Sequence, residues 1–184
     1  MKKNILIILL FIAFIPLLHA KPETLEKFLG TYKFVGDDTE KQELNRAVNR
    51  FIHQIPFLVR SFYKSSIRKG FPLPEEIKII RNKKGQISID ASLKTPVFSD
   101  LNKTPVRYKN PDGKATELQR KLIKSKILEK FTDDRGLRLN SYKFSPSGLK
   151  MIYTVKFTSK RLRNPVWFKL SYEKINMERK TEKK

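Results

Sequence analysis

The sequence predicts a mainly β protein, an antiparallel up-and-down meander or barrel of about eight to nine strands with a helical insert near the N-terminus. After Gly70, apolar residues recur at every second position, which is the period of a half-buried strand. Short turns such as Asn82-Lys83-Lys84-Gly85 and Ser145-Pro146-Ser147-Gly148 separate these segments. Consecutive strands joined by short turns favour up-and-down closure, because closure removes exposed edges.

The strand candidates begin with residues 31–36, which are aromatic and β-branched and end at Gly36. The other eight candidates share the same alternation and lie at 77–81, 86–93, 105–109, 115–122, 126–132, 136–144, 149–158 and 165–173. A barrel of about eight strands is either filled by its own side chains or holds one small ligand. The alternation leaves both alternatives open.

The helical insert is predicted over residues 39–69. Leu44, Val48 and Ile52 recur at helical spacing and form one apolar stripe. Asp37 is a suitable N-cap residue, and Pro56 is expected to end the first helix because it lacks a backbone N–H.

The first twenty residues have the layout of a secretory signal peptide. Lys2 and Lys3 precede an apolar run over 5–15, and the small residue Ala20 ends the segment. We therefore expect removal of 1–20 and a periplasmic or secreted protein. The rest is expected to form one domain over 21–173, followed by a charged, disordered tail over 174–184.

Composition limits the chemistry that is available. There is no cysteine, and His53 is the one histidine after residue 20, so we expect no metal and no cofactor. The acidic pairs Asp37-Asp38, Glu75-Glu76 and Asp133-Asp134 fit turns and caps better than a catalytic pair, and no nucleophile elbow or phosphate loop is present. The sequence therefore predicts a protein that is not an enzyme.

The charge is strongly positive. The chain carries +22, and loss of Lys2 and Lys3 would leave +20. Such a charge favours polyanionic partners or simply coats a solvated surface, and composition alone does not separate these alternatives.

Several motifs carry a resemblance to a known family. They are Gly30-x-Tyr32-x-Phe34, Tyr142-x-Phe144-Ser145-Pro146-Ser147-Gly148-Leu149 and Ser159-x-x-Leu162-x-x-Pro165-Val166-x-Phe168-x-Leu170-x-Tyr172. With the helices between them, they resemble secreted bacterial lipocalin-like (calycin-type) β-barrel proteins of unestablished activity. Lipocalins carry Gly-x-Trp at the first strand, where this chain has Gly30-x-Tyr32. The resemblance implies a barrel that can hold an apolar ligand.

A ligand site is predicted inside the barrel. Arg138 and Tyr142 share one face by period two, and together they could clamp a carboxylate or phosphate headgroup. A register slip of one residue would instead turn Leu137 and Leu139 inward and leave Arg138 solvated. The predicted apolar lining is Met151, Tyr153, Val155, Phe157, Phe168 and Leu170.

A second predicted site is a basic surface on the helical insert, where aromatic residues are interleaved. It could form a lid whose apolar stripe faces the barrel mouth and whose basic face meets anionic headgroups. An ordinary helix with a solvated basic surface is the alternative. The residues of this predicted anionic-surface site are Arg46, Arg50, Arg60, Lys64, Arg68 and Lys69.

The sequence thus favours an exported, monomeric, non-enzymatic protein that carries or sequesters a small amphipathic anion, such as a fatty acid or lipid. The alternative is an interaction protein whose basic exterior binds a polyanionic surface: anionic lipid, lipopolysaccharide, glycan or nucleic acid. A signal peptide disfavours nucleic acid as the partner, whereas an anionic membrane surface stays a candidate.

Overall fold

A computed structural model describes residues 25–91, 96–110, 113–160 and 162–175. The predicted signal peptide and the tail beyond Ile175 lie outside the described residues. A short 3-10 turn (Leu25–Phe28) precedes β1. The helices are α1 (Asp38–His53) and α2 (Phe57–Gly70). The strands are β1 (Gly30–Phe34), β2 (Glu76–Arg81), β3 (Ile87–Asp90), β4 (Val106–Lys109), β5 (Ala115–Ile123), β6 (Lys126–Asp133), β7 (Gly136–Phe144), β8 (Lys150–Thr158) and β9 (Val166–Lys174).

All nine strands belong to one curled antiparallel sheet in the order β3-β2-β1-β9-β8-β7-β6-β5-β4. The predicted fold class is confirmed, with helices between β1 and β2 and a meander from β4 to β9. The two-residue turn at Lys124-Ser125 sets the β5–β6 register, in which Ile123 faces Lys126. β9 runs to Lys174, one residue beyond the predicted strand.

The core fills the concave side of the sheet. At one end of the barrel, the Tyr32 hydroxyl donates to the carbonyl oxygens of Phe28 (3.1 Å) and Gly148 (2.9 Å). Phe28 also stacks on Phe144, with 4.3 Å between ring centroids. Gly148 has φ +75°, and a Cβ there would lie 2.5 Å from the Lys27 carbonyl oxygen. This end is therefore closed by close packing.

α1 covers the opposite end. The predicted stripe of Leu44, Val48 and Ile52 is buried, together with Ala47, and the Asp37 side chain caps the first turn of the helix. The helix also lies along β9: the Glu40 carboxylate accepts bonds from the backbone N–H and hydroxyl of Ser171 (2.7 and 2.6 Å), and the two elements are in extensive contact. Within the described part of the chain, neither helix is long and apolar enough to cross a bilayer.

α2 departs from the predicted lid. None of its residues is buried, and Phe57, Leu58 and Phe62 are 80, 84 and 80% exposed. Within the predicted lid, the α1 stripe is therefore buried, whereas the apolar residues at the start of α2 face solvent. The reason is that α2 meets the core at its C-terminal end, where Ile67 packs and the chain turns back at Phe71.

Candidate functional site

A polar cluster is buried on the inner face of β5, β6 and β7. Arg120, Glu129 and Asn140 face one another across the three strands in register. They occupy inward-facing positions of these strands, on the side of the sheet that otherwise forms the apolar core. They are only 0, 1 and 4% exposed. Buried polar groups of this kind are usually hydrogen-bonded, because an unpaired one costs free energy.

Glu129 is the centre of the cluster. One carboxylate oxygen accepts a bond from Arg120 Nε at 2.7 Å. The other accepts bonds from the Tyr142 hydroxyl at 2.6 Å and from Asn140 Nδ2 at 3.2 Å. Three donors, one of them a guanidinium, thus compensate the buried negative charge.

Arg120 links β5, the second strand from one end of the sheet, to β3 at the other end. Its Nη1 donates to the carbonyl oxygens of Ile87 on β3 (2.9 Å) and Val97 (2.8 Å), and to the Ser99 hydroxyl (2.9 Å). Ser99 itself bridges to Ile87 through backbone hydrogen bonds. Arg120 Nη2 is buried and has no partner among the described residues. One donor is therefore left over on the inner side of the barrel.

Arg138 lies at the helix-covered end of the same cluster and is half-buried. Its guanidinium donates to Asn140 Oδ1 (3.0 Å), the Tyr153 hydroxyl (3.2 Å) and the Gly70 carbonyl oxygen (3.3 Å). Within the described chain, none of its hydrogen-bond partners is a carboxylate. The charges of Arg120 and Glu129 cancel, so the cluster as a whole carries a formal charge of +1, which comes from Arg138.

The charge states follow from the surroundings. Burial acts to lower the pKa of Arg138, but its interactions, first with Tyr153, raise that pKa by more, so the guanidinium stays cationic. Burial raises the pKa of Tyr142 well above 10.0, and the charge of Glu129 raises it further. Burial also raises the pKa of Tyr153. Both tyrosines therefore carry neutral hydroxyl groups at neutral pH.

A groove of about 260 Å³ lies outside this end of the barrel, between α1, the end of α2 and the segment that leads to β2. Its polar groups are Lys41, Asn45 and Arg68, and its apolar residues are Leu44, Val48, Phe71 and Leu73. Phe71 also packs against Phe157 and Phe168, and the Arg138 guanidinium lies 5.6 Å from the centre of its ring. Phe71 thus separates the groove from the cation inside.

The structure places both predicted headgroup residues inside the barrel. Arg138 faces inward while its neighbour Leu139 is 36% exposed, which resolves the two alternative registers. Tyr142 is buried and stacks on Tyr153, with 5.0 Å between ring centroids. The predicted apolar residues also face inward: Met151, Tyr153, Val155, Phe168 and Leu170 are buried, and Phe157 is half-buried. Their role in ligand binding stays a prediction.

Five of the six predicted basic residues of the helical insert are exposed, Arg68 among them, and their role as an anionic-surface site stays a prediction. Arg46, Arg50, Lys64 and Lys69 are exposed. Arg60 instead folds back on the end of α1, where its guanidinium donates to the carbonyl oxygens of His53 and Ile55. Arg68 donates to Asn49 Oδ1 at 3.3 Å and so links the two helices. Helix ends leave carbonyl groups unpaired, which explains why Arg60 is drawn to α1.

Sequence reasoning missed Arg120 and Glu129. The signal was present: Thr116, Leu118, Arg120 and Leu122 alternate on one face of β5, as do Ile127, Glu129 and Phe131 on β6. The two-residue turn between these strands places Arg120 opposite Glu129. An inward arginine facing an inward glutamate across a tight hairpin is a detectable ion pair.

The acidic pairs and His53 do not converge on a site. Asp37 caps α1, Asp133 accepts bonds from Arg135 in the β6–β7 turn, and His53 is exposed at the end of α1. Among the described residues, no group of three or more histidine, cysteine or acidic residues could hold a metal ion.

Comparison with known proteins finds solved structures of similar fold but no matching sequence. No family model matches the sequence, and no curated protein sequence matches it significantly. Among solved structures, lipid binding protein 8 of Caenorhabditis elegans matches with 12% identity over 83% of this chain and 98% of that chain, at a TM-score of 0.51. Fatty-acid-binding protein 1 of Echinococcus granulosus matches with 16% identity over 82% and 98%, at 0.49. At 12% identity, the match to lipid binding protein 8 shows the fold alone.

Proposed function

We propose that this protein binds a small amphipathic anion, such as a fatty acid or a lipid with an acidic headgroup, at the helix-covered end of its barrel, and that it is not an enzyme. The observation that carries the proposal is the formal charge of +1 that Arg138 leaves in a largely buried cluster. The fold that the chain shares with a protein named for lipid binding supports the same class of ligand. We also propose that the protein acts outside the cytoplasm after removal of residues 1–20.

The headgroup would bind to Arg138 and Tyr153. Arg138 Nη1 donates a hydrogen bond to the Gly70 carbonyl oxygen; at 3.3 Å this bond is long, and its acceptor is neutral. A carboxylate is the stronger acceptor for a guanidinium, because a charge-assisted hydrogen bond is shorter and about twice as strong as a neutral one. The ligand headgroup would therefore replace Gly70 as the partner of Arg138.

The apolar part of the ligand would lie toward the groove. Phe71 lines the groove on one side and contacts Phe157 and Phe168 on the other, so a rotation of its ring would join the groove to the barrel. Sites for small molecules usually have volumes of about 300–1,000 Å³, and this groove, at about 260 Å³, is slightly smaller than that. We accordingly expect a short or medium-length chain to bind best.

Calorimetric titration of the purified protein with decanoate and with decanol tests this function. We expect decanoate to bind at least about tenfold more tightly, since a charge-assisted hydrogen bond to Arg138 is worth roughly 1.5–3 kcal/mol. Arg138→Gln should remove this preference and leave decanol affinity nearly unchanged. Arg107→Gln is the matched control, because Arg107 is exposed on β4 and pairs with Glu117.

Two results would contradict the proposal. Equal affinity of the parent protein for decanoate and decanol would show that no cation recognises the headgroup. Equal loss in the Arg138 and Arg107 variants would show that charge acts from the surface. Circular dichroism on each variant ensures that a loss of binding is not a loss of fold.

A second candidate function is binding to an anionic membrane through α2. Phe57, Leu58 and Phe62 are exposed there, and the helix contains Lys64 and Lys69 but no acidic residue. Exposed aromatic and leucine side chains beside lysines favour the interface of an anionic bilayer. Phe57→Ser with Phe62→Ser should weaken binding to vesicles that contain phosphatidylglycerol, whereas unchanged binding would exclude this role of α2.

A further inference from the structure

The outer face of β5 to β9 carries a regular array of lysines. Period two places Lys121 on β5, Lys126 and Lys130 on β6, and Lys143 on β7 with their side chains outward. Lys156 on β8 and Lys169 on β9 continue the array. We call these six residues the lysine face: Lys121, Lys126, Lys130, Lys143, Lys156 and Lys169. Five of them are exposed and Lys126 is half-buried.

The acidic side chains on the outer face of β5 to β9 already form ion pairs with other basic residues. Glu117 pairs with Arg107, and Glu173 pairs with Lys150. Within the described chain, no carboxylate forms an ion pair with any member of the lysine face. Lys126 and Lys143 even face each other across neighbouring strands, an arrangement that destabilises a sheet by like-charge repulsion. An external anion would relieve this repulsion.

The lysines are spread over two dimensions. The strand register places Lys130 and Lys156 in one row across the sheet, and Lys121 and Lys169 in the next. Lys126 and Lys143 occupy the third row. Strands lie about 4.8 Å apart and alternate residues about 6.7 Å apart, so the three rows over five strands cover roughly 19 by 13 Å.

This arrangement favours a surface over a chain as the partner. A linear polyanion lying along one row would meet two lysines, whereas a layer of anionic headgroups would meet lysines of several rows together. Trp167 is 55% exposed and continues the row as the cross-strand neighbour of Lys156, and the exposed Leu139 lies between Lys130 and Lys156 in the same row. Tryptophan and lysine are both favoured where protein meets the headgroup region of a bilayer.

From these observations we infer that the lysine face docks on an anionic lipid bilayer. This inference extends the second candidate function, because it adds a membrane-contacting surface that is separate from α2. It requires no ligand inside the barrel. Each basic residue near an anionic membrane contributes about 1 kcal/mol, roughly a fivefold factor in affinity.

The test is flotation of the purified protein with vesicles of phosphatidylcholine alone and of phosphatidylcholine with 30% phosphatidylglycerol. The test variant replaces four lysines of the face: Lys130→Gln, Lys143→Gln, Lys156→Gln and Lys169→Gln. The control variant removes the same charge from exposed positions on β1, β2 and the β2–β3 turn: Lys33→Gln, Lys78→Gln, Lys83→Gln and Lys84→Gln. Both variants are first checked for native circular dichroism.

We expect the test variant to lose at least about 100-fold in affinity for the anionic vesicles, and the control variant to lose less than about fivefold. Equal losses in the two variants would overturn the inference, because net charge and not the lysine face would then drive binding. The same conclusion follows if the parent protein prefers linear polyphosphate and the test variant loses only that binding. The α2 variant is measured alongside: a loss there with no loss in the test variant would retain α2 and reject the lysine face.

Discussion

The buried ion pair of Arg120 and Glu129 gives the sharpest test of how the polar cluster stabilises the barrel. Glu129→Gln keeps the shape of the side chain and removes its charge. Arg120 would then be an uncompensated cation in a site that is 0% exposed. Breaking a buried ion pair by removing one partner costs about 3–5 kcal/mol. The new amide can still accept a bond from Tyr142, so we expect a loss of about 3 kcal/mol in the free energy of unfolding.

The assay is urea denaturation followed by circular dichroism. With a slope of about 2 kcal/mol/M, the midpoint of Glu129→Gln should fall by about 1.5 M. Glu117→Gln is the matched control, since the side chains of Arg107 and Glu117 are 82 and 44% exposed and such pairs contribute about 0–1 kcal/mol. Equal midpoint shifts for the two variants would refute the assignment of the cluster as a stabilising unit.

Three further predictions concern other parts of the fold. Gly148→Ala should lower the free energy of unfolding by more than about 1 kcal/mol, because φ is +75° and the new Cβ would meet the Lys27 carbonyl oxygen. Calorimetric melting measures this loss. Gly85→Ala is the control and should lose less stability, because Gly85 also has a positive φ but has open space around it. Tyr172→Phe should cost about 1 kcal/mol by removing the buried bond to the Pro74 carbonyl oxygen (2.8 Å), and an unchanged melting temperature would contradict this. Burial raises the pKa of Tyr142 and Tyr153 above their unfolded value near 10.0. The unfolded chain therefore loses these protons first, and the free energy of unfolding should fall as pH rises above about 10. Spectrophotometric titration should show the buried tyrosines ionising only as the protein unfolds.

Alternation of apolar residues was enough to predict the nine strands, because most of them have one face in the core and the other toward solvent; β3 is the exception, since Ile87, Ser88 and Ile89 are all buried. The inward orientation of Arg138 could be predicted as one of two registers, and Leu139 on the outer face shows which one forms. The orientation of α2 could not be predicted in this way. Its apolar residues also recur along the helix, although less regularly than those of α1, and tertiary contacts leave Phe57 and Phe62 in solvent.

The polar cluster shows a second limit of sequence reasoning. Arg120 contacts Ile87 and Val97, which are distant in the chain, and closure of the barrel brings these carbonyl groups to its guanidinium. Periodicity identifies the face on which a side chain lies but not its partners across the barrel. The lysine face could likewise not be predicted from the sequence, because only the strand register shows that its lysines lie in adjacent rows.

Native mass spectrometry of the protein purified from its own host tests the central claim most directly. We predict a one-to-one adduct whose extracted ligand is an amphipathic acid, and we predict that Arg138→Gln loses this adduct while Arg107→Gln keeps it. An unliganded mass for the parent protein, or the same adduct on both variants, would contradict binding of an anion at Arg138.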